Sequence, residues 1–328
     1  MADYLVTGGA GFIGSNIVEQ LLKEGNSVRV IDNFSTGRRE NLQEAEKWAA
    51  EGKGKSERVG GKGNFELIEG DIRSLETARR AVKDCRFVLH QAAIPSVVRS
   101  VRDPVTTSEV NIQGTLNLLV AARDEKIERF VYASSSSVYG ESEVLPKVET
   151  MPPSPLSPYA TQKLTGEYYC RIFHSLFGLP TVSLRYFNVF GPRQDPTSEY
   201  AAVIPKFITA ALSGKRPVIY GDGKQTRDFS FIRNVVEANI KAAKAPKGSF
   251  GKVFNIAGGS RIDLLELLAI ISDLAGKRVD PEFAPPRPGD IRDSLADISR
   301  ARTVLGYEGK VSVREGLEKA LHWYKERF

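Results

Sequence analysis

The chain has 328 residues, 41% of them hydrophobic and 26% charged, the balance of an ordinary globular protein rather than of a disordered or membrane-embedded one. No apolar run approaches the roughly 20 residues of a bilayer span, and the net charge of +6 comes from Lys and Arg interleaved with acids, so neither a membrane nor a nucleic acid is an expected partner. Two distant cysteines, Cys85 and Cys170, and three histidines without a paired ligand motif argue against structural disulfides and against a metal site.

A strand-like run from Asp3 to Gly8 begins almost at once. It leaves no room for a cleaved leader and makes the cytoplasm the expected compartment. Strands are then expected at Leu5–Thr7, Val28–Ile31, Phe65–Glu69, Phe87–His90, Phe130–Ala133 and Val182–Leu184, with helices over Phe12–Glu24, Asp103–Asp124 and Pro158–Phe177. β-branched runs alternating with amphipathic stretches are the pattern of βαβ units, hence an α/β fold with a parallel sheet. Residues 47–64 are rich in Gly and Lys and read as a solvated loop. After Phe187 the alternation loosens and Gly- and Pro-containing loops separate shorter elements, which suggests a smaller C-terminal lobe closing over a site.

The first strand runs straight into Gly8-Gly9-Ala10-Gly11-Phe12-Ile13-Gly14, the strand-to-helix context of a dinucleotide fingerprint. Gly8 would allow the tight turn, Gly11 would let backbone approach a pyrophosphate at the helix N-terminus, and Gly14 would let helix and strand pack closely. Asp32 ends the second strand eighteen residues after Gly14. A carboxylate there suits an adenosine ribose and repels a 2′-phosphate, favouring NAD over NADP. Asp32 could instead begin a turn with Asn33, and Arg38 and Arg39 could neutralise a phosphate. Asp71 and Ile72, after the third strand, would sit beside the adenine.

Tyr159 and Lys163 stand four apart just after Pro158, at the start of a helix, so phenol and ammonium project from one face. A tyrosine of ordinary pKa, roughly 10, is a poor base at neutral pH. A neighbouring ammonium and the positive nicotinamide of NAD favour its phenolate. Ser134 to Ser137 lie at the end of an apolar strand about two dozen residues earlier, where a hydroxyl can share a proton with a substrate alcohol. Four serines in a row are also an ordinary polar turn, and the glycine fingerprint, the strand-end serine and the Tyr/Lys pair are informative together rather than singly.

With these residues the chain resembles the extended short-chain dehydrogenase/reductases and, within them, the UDP-sugar 4-epimerases. The resemblance runs the whole length, through TGGAGFIGS, GDI at Gly70 to Ile72, HQAA at His90 to Ala93, SPYATQK, LRYFNVFGPRQDP, TRDFSFI and RPGDIRDSLAD. It implies a Rossmann-like, doubly wound parallel sheet, residues 1–186 mainly binding NAD, and residues 187–328 mainly forming a UDP-sugar-binding lobe, with crossings between lobes. It also implies a homodimer through helices of the Asp103–Asp124 and Pro158–Phe177 regions.

By the same resemblance Tyr159 is the base, Lys163 its partner and a ribose ligand, and Ser135 the catalytic hydroxyl, with Ser136 and Ser137 as further substrate contacts. Gly8, Gly11, Phe12, Ile13, Gly14, Asp32, Asn33, Asp71, Ile72 and Ala92 are implied around the cofactor. Asn188, Arg227, Arg287 and Asp290 are implied around the diphosphate and uridine ribose, though Arg227 next to Asp228 also fits a surface ion pair and Arg287 could simply stiffen a Pro-rich loop.

Related dehydratases and decarboxylases resemble a pattern with an acid beside the catalytic hydroxyl. Here that place holds only Ser136 and Ser137, which favours reversible oxidation at C4 over elimination. Ser294 matches a position near the sugar's C2 substituent, where a small residue leaves room for an N-acetyl group. Ser96 and Gln194 also resemble positions of epimerases that prefer UDP-GlcNAc and UDP-GalNAc. The expected reaction is therefore C4 epimerisation of those sugars, with UDP-Glc and UDP-Gal as further substrates, and a UDP-glucuronate 4-epimerase is the alternative. Retention of Ser135, Tyr159 and Lys163 argues against an NAD-binding sensor without turnover.

Overall fold

A computed structural model describes residues 2–50, 64–197, 202–286 and 292–327. Its centre is a seven-stranded parallel sheet in the order β11-β6-β5-β4-β1-β2-β3. The strands are β1 (Ala2–Thr7), β2 (Val28–Asp32), β3 (Phe65–Glu69), β4 (Cys85–His90), β5 (Arg129–Ser135), β6 (Thr181–Tyr186) and β11 (Lys252–Ile256). The six expected strands are all present, most of them longer than read. The seventh, β11, comes from beyond residue 187, so the chain returns from its later half to complete the sheet.

Alternate residues of each strand feed two cores, as a sheet buried on both faces requires. Tyr4, Val6, Val28, Val30, Leu89 and Val131 point to one. Leu5, Ile31, Val88, Phe130 and Tyr132 point to the other. The helices over the sheet are α1 (Phe12–Lys23), α2 (Gln43–Ala50), α3 (Leu75–Val82), α4 (Val97–Arg102), α5 (Pro104–Ser108), α6 (Thr115–Asp124), α7 (Pro158–Phe177) and α9 (Ile232–Ala243).

Two readings of the sequence change. The expected helix over Asp103–Asp124 begins at its cap Asp103 and ends at Asp124 as read, but it is not regular, since a π-turn over Glu109–Gly114 joins α5 to α6. The expected loop over 47–64 begins inside α2, whose Trp48 packs against the core. Residues 51–63 lie outside the described residues.

The smaller lobe contains three two-stranded pairs: β7 (Val189–Phe190) with β10 (Ser230–Phe231), β8 (Val218–Tyr220) with β13 (Glu282–Ala284), and β9 (Thr226–Arg227) with β12 (Ile262–Asp263). Helices α8 (Val203–Ser213), α10 (Leu264–Ala275), α11 (Ser299–Leu305) and α12 (Val313–Lys325) complete it. Among the described residues no helix is long and apolar enough to cross a membrane. Nor do they contain a cluster of three His, Cys, Asp or Glu able to hold a metal.

β1 is flanked by β2 on one side and β4 on the other. Connections therefore leave it in opposite directions and open a crevice at the carboxyl ends of the strands, the place where open α/β sheets bind ligands.

Candidate active site

A cleft at that crevice is lined by the turns that follow β1, β3 and β4 and by residues of α1, β2, β5, β6 and α7, among them Gly8, Gly11, Phe12, Ile13, Gly14, Asp32, Asn33, Asp71, Ile72, Ala92, Tyr159 and Lys163. All the residues implied around the cofactor thus line one cleft. Gly8 takes φ +65°, and a Cβ added to Gly14 would lie 2.1 Å from the Gly8 carbonyl oxygen. The first permits the turn and the second the close passage of α1 over β1. Unlike α3, α10 and α12, which have both, α1 has no side chain bonded to its N-terminal amides and no acid in its first turn. Those amides and the positive helix end are left for an anion.

Asp32 is buried and accepts from Ala10 N at 2.9 Å and Phe34 N at 2.8 Å. Burial raises its carboxyl above the ordinary value while these N–H donors oppose the rise. Asp32 also lines the cleft, where a carboxylate, an acceptor only, suits the hydroxyls of a ribose. The acid is thus both a turn residue and a cleft residue. Asn33 donates to Asp71 at 3.0 Å, and Arg73 holds the Asp71 carboxyl below its usual range. An uncapped helix end over a glycine cradle, with a carboxylate at the end of β2, fits the pyrophosphate and adenosine ribose of NAD.

At the other end of the cleft α7 starts at Pro158, fixed by Ser157, whose hydroxyl accepts from Ala160 N. Its first two turns carry Tyr159 and Lys163. Lys163 is buried and donates to the Ala133 carbonyl at 2.8 Å, with its ammonium 5.9 Å from the centre of the Tyr159 ring. Burial pushes the ammonium down to about 8. Burial also pushes the Tyr159 phenol up to about 12, opposed by a hydrogen bond with Ser135. The expected lowering of the phenol by Lys163 is therefore outweighed here, because the ammonium is turned toward β5 and desolvation dominates.

Ser135 ends β5, and its hydroxyl accepts from Ser137 N at 3.2 Å and meets the Ser137 hydroxyl at 2.9 Å. Ser134, one residue earlier, is buried and lines the cleft. A second cleft in the smaller lobe is lined by Asn188, Arg227, Phe190, Phe207, Tyr220 and Gln225, among others. Asn188 also donates to the Asp228 carbonyl at 3.0 Å and to the Ser294 hydroxyl at 3.5 Å. Ser96 caps α4 by accepting from Arg99 N, and the Gln194 side chain donates to the Val189 carbonyl at 3.2 Å. Arg287 and Asp290 lie outside the described residues.

The site also includes groups to which the motifs assigned no role. His90 is buried between Thr7, 2.7 Å from Nδ1, and Thr115, 2.9 Å from Nε2. Thr115 already donates to the Asn111 carbonyl, so it accepts from Nε2–H and His90 Nδ1 accepts from Thr7. Burial, then the Lys163 charge, push His90 down to about 3, which keeps it neutral. Asn111 bonds to both the N–H and the carbonyl of Ile94 and to Gln162 on α7. Segment 192–195 crosses toward the cofactor side, with the Pro192 carbonyl held by Asn16, Arg193 paired with Glu19, and Asp195 paired with Arg38.

The model of the NAD dependent epimerase/dehydratase family matches residues 4–257. The UDP-glucose 4-epimerase of Mycolicibacterium smegmatis is 39% identical over 325 residues, 98% of this chain and 98% of that protein. A structure of the UDP-N-acetylglucosamine 4-epimerase from Methanobrevibacter ruminantium M1 in complex with UDP-N-acetylmuramic acid is similar with a TM-score of 0.89 and 39% identity, covering 100% of this chain and 99% of the other. The UDP-glucuronic acid 4-epimerase from Bacillus cereus, in complex with UDP-glucuronic acid and NAD, aligns with a TM-score of 0.87 and 35% identity over 99% of both chains.

A cation favours the phenolate, so Lys163→Met should move the rise of kcat with pH to higher pH. In the native enzyme the help from Lys163 should fade as the ammonium loses its proton above about 8. Turnover of NAD-loaded enzyme measured from pH 6 to 10 checks this, and identical profiles would remove Lys163 from the pair.

Proposed function

The chain belongs to the NAD dependent epimerase/dehydratase family, among its UDP-sugar 4-epimerases, and from that premise we propose that it interconverts UDP-GlcNAc and UDP-GalNAc at C4, with UDP-Glc and UDP-Gal as further substrates. The observation that carries the C4 chemistry is the hydrogen bond between Ser135 and Tyr159, both half-buried, with the buried Lys163 one turn along α7 at the end of the cofactor cleft. When bound, NAD supplies the acceptor and then the donor of a hydride at C4. Tyr159 Oη takes the C4 hydroxyl proton, Ser135 Oγ shares that hydrogen bond, and Lys163 offsets the phenolate charge. The 4-keto sugar, tethered by its diphosphate in the smaller lobe, turns over. Tyr159 then returns the proton to the oxygen of the inverted centre.

Reversible oxidation rather than elimination is supported by the state of the nearby acids. The carboxylates lining the cleft are Asp32, Asp71 and Asp195. Each is already engaged, by Ala10 and Phe34, by Asn33 and Arg73, and by Arg38. The N-acetyl preference is supported by the short side chain at Ser294 beside Asn188 and by the similarity to the M. ruminantium enzyme.

We further propose a homodimer. Val98, Val101 and Val105 on α4 and α5, and Tyr168, Ile172 and Leu176 on α7, are exposed, from 39% to 72%. Exposed apolar side chains on neighbouring helices suit a partner helix pair.

Tyr159→Phe should lower turnover by about 10²- to 10⁴-fold, the usual contribution of a general base, while NAD and UDP-sugar stay bound. Product formation followed by NMR measures it, and activity within a few-fold of native would refute the assignment. Ser294→Tyr should lower the ratio of specificity constants for acetylated over plain sugars by roughly 10- to 100-fold, because a phenol would collide with the acetamido group in at least one orientation. A ratio that does not fall removes the main support for the N-acetyl preference. In sedimentation equilibrium the native chain should be a dimer and the double variant Ile172→Asp, Leu176→Asp a folded monomer. A native monomer would dismiss the interface.

A further inference from the structure

One turn beyond Lys163, α7 carries a further buried polar residue, Glu167. It forms an ion pair with Arg185 of β6 in which both side chains are almost wholly buried, 3% and 4% exposed. Arg185 donates through Nε to Glu167 Oε1 at 2.8 Å and through Nη2 to Oε2 at 2.7 Å. The hydroxyl of Ser134, on β5, donates to Oε1 at 2.5 Å. Ser134 and Arg185 are direct partners across the β5–β6 pair. A single carboxylate thus grips two adjacent strands from the helix above them.

The strand it grips ends in the reactive hydroxyl, since Ser135 follows Ser134. The same guanidinium lies 4.5 Å over the ring of Tyr139, the last residue of the short turn Ser136–Tyr139. The Tyr139 hydroxyl is in turn fixed to Asn255 at 2.7 Å. The Glu167–Arg185 pair therefore holds both ends of the segment that presents Ser135, and it does so from the helix that presents Tyr159. Lys163, between them on α7, fastens to the Ala133 carbonyl. Residues 159, 163 and 167 follow the i, i+4, i+8 spacing of one helix face.

Taking an Arg–Glu pair out of water gives little or no net stability compared with apolar packing. What such a pair does supply is geometry, because a two-bond Arg–carboxylate contact fixes both distance and orientation. We propose that Glu167, acting through Arg185 and Ser134, is a positioning residue that sets where the Ser135 hydroxyl stands relative to the Tyr159 phenol. The proposal rests on the reading that Ser135 and Tyr159 act on the substrate. Glu167 touches neither cofactor nor sugar in this role.

Glu167→Gln keeps the shape but leaves one oxygen for three donor hydrogens and turns an amide N–H2 toward another donor. A misplacement of the reacting group by about 1 Å can cost on the order of 10²-fold in rate. In NAD-loaded enzyme, assayed below the melting temperature of every variant, Glu167→Gln should lower kcat by about 10- to 100-fold with KM within about two-fold of native. The decisive comparison is with Ser135→Ala. If Glu167 acts through Ser135, adding Glu167→Gln to Ser135→Ala should bring little further loss of kcat. Ser134→Ala removes one hydrogen bond, leaves the ion pair intact and should show a smaller loss with the same non-additivity, so it tests the link should Glu167→Gln fail to fold. A native kcat in Glu167→Gln or Ser134→Ala, even with a lowered melting temperature, would overturn the positioning role while leaving Ser135 assigned. Losses that multiply in the double variant would overturn it too. A native rate in Ser135→Ala would instead overturn the assignment of Ser135 on which the proposal stands.

Discussion

The buried ammonium of Lys163 is the constraint around which the rest of the site is arranged. Taking a cation out of water is costly, and the structure meets the cost with a hydrogen bond to the Ala133 carbonyl at 2.8 Å and the faces of Tyr132 and Tyr159 at 5.2 and 5.9 Å. That bond is possible only if α7 lies directly on β5. Ser157 and Pro158 set where the helix begins, and Gly178, in a left-handed conformation, marks where it stops. Once the helix lies there, Tyr159 and Ser135 meet as a consequence. Burial then leaves each group near the edge of its useful range, the phenol high and the ammonium low. A bound cation in the cleft favours the phenolate and so lowers the phenol's pKa again.

The parts of this site that could be read in the sequence are those whose partners lie close along the chain or follow a fixed period. Tyr159 and Lys163 are one helical turn apart, and Ser157-Pro158 announces the start of that helix. Gly8 to Gly14 and Asp32 belong to one βαβ unit, where strand length and helix packing fix their relation. Phe65–Glu69 and Pro158–Phe177 have in the structure the limits that their patterns indicate.

What was not legible depends on contacts between distant segments. Glu167 is an unremarkable acid on a helix until β6 brings Arg185 beneath it, and His90 is the end of a strand until Thr7 and Thr115 enclose it. β11 was missed because Lys252–Ile256 is a short run in the irregular half of the chain, where burial between β6 and the helices decides its conformation more than its own pattern. The long helix expected over Asp103–Asp124 is there, but its π-turn was not legible. Its hydrophobic period continues, but the backbone shifts through a π-turn that brings the side chain of Asn111 to Ile94 and Gln162.

Segment 192–195 is fastened to the cofactor side by contacts of unequal kind. Arg38 and Asp195 are 53% and 34% exposed, whereas Arg193 and Glu19 are 13% and 28% exposed, and the Asn16 amide bonds to a backbone carbonyl. Dissolved ions screen exposed pairs far more than sheltered ones and leave an uncharged hydrogen bond nearly unaffected. The clasp is therefore graded in its response to ionic strength: as salt rises the outer fastening weakens first, the inner pair follows, and the amide holds longest.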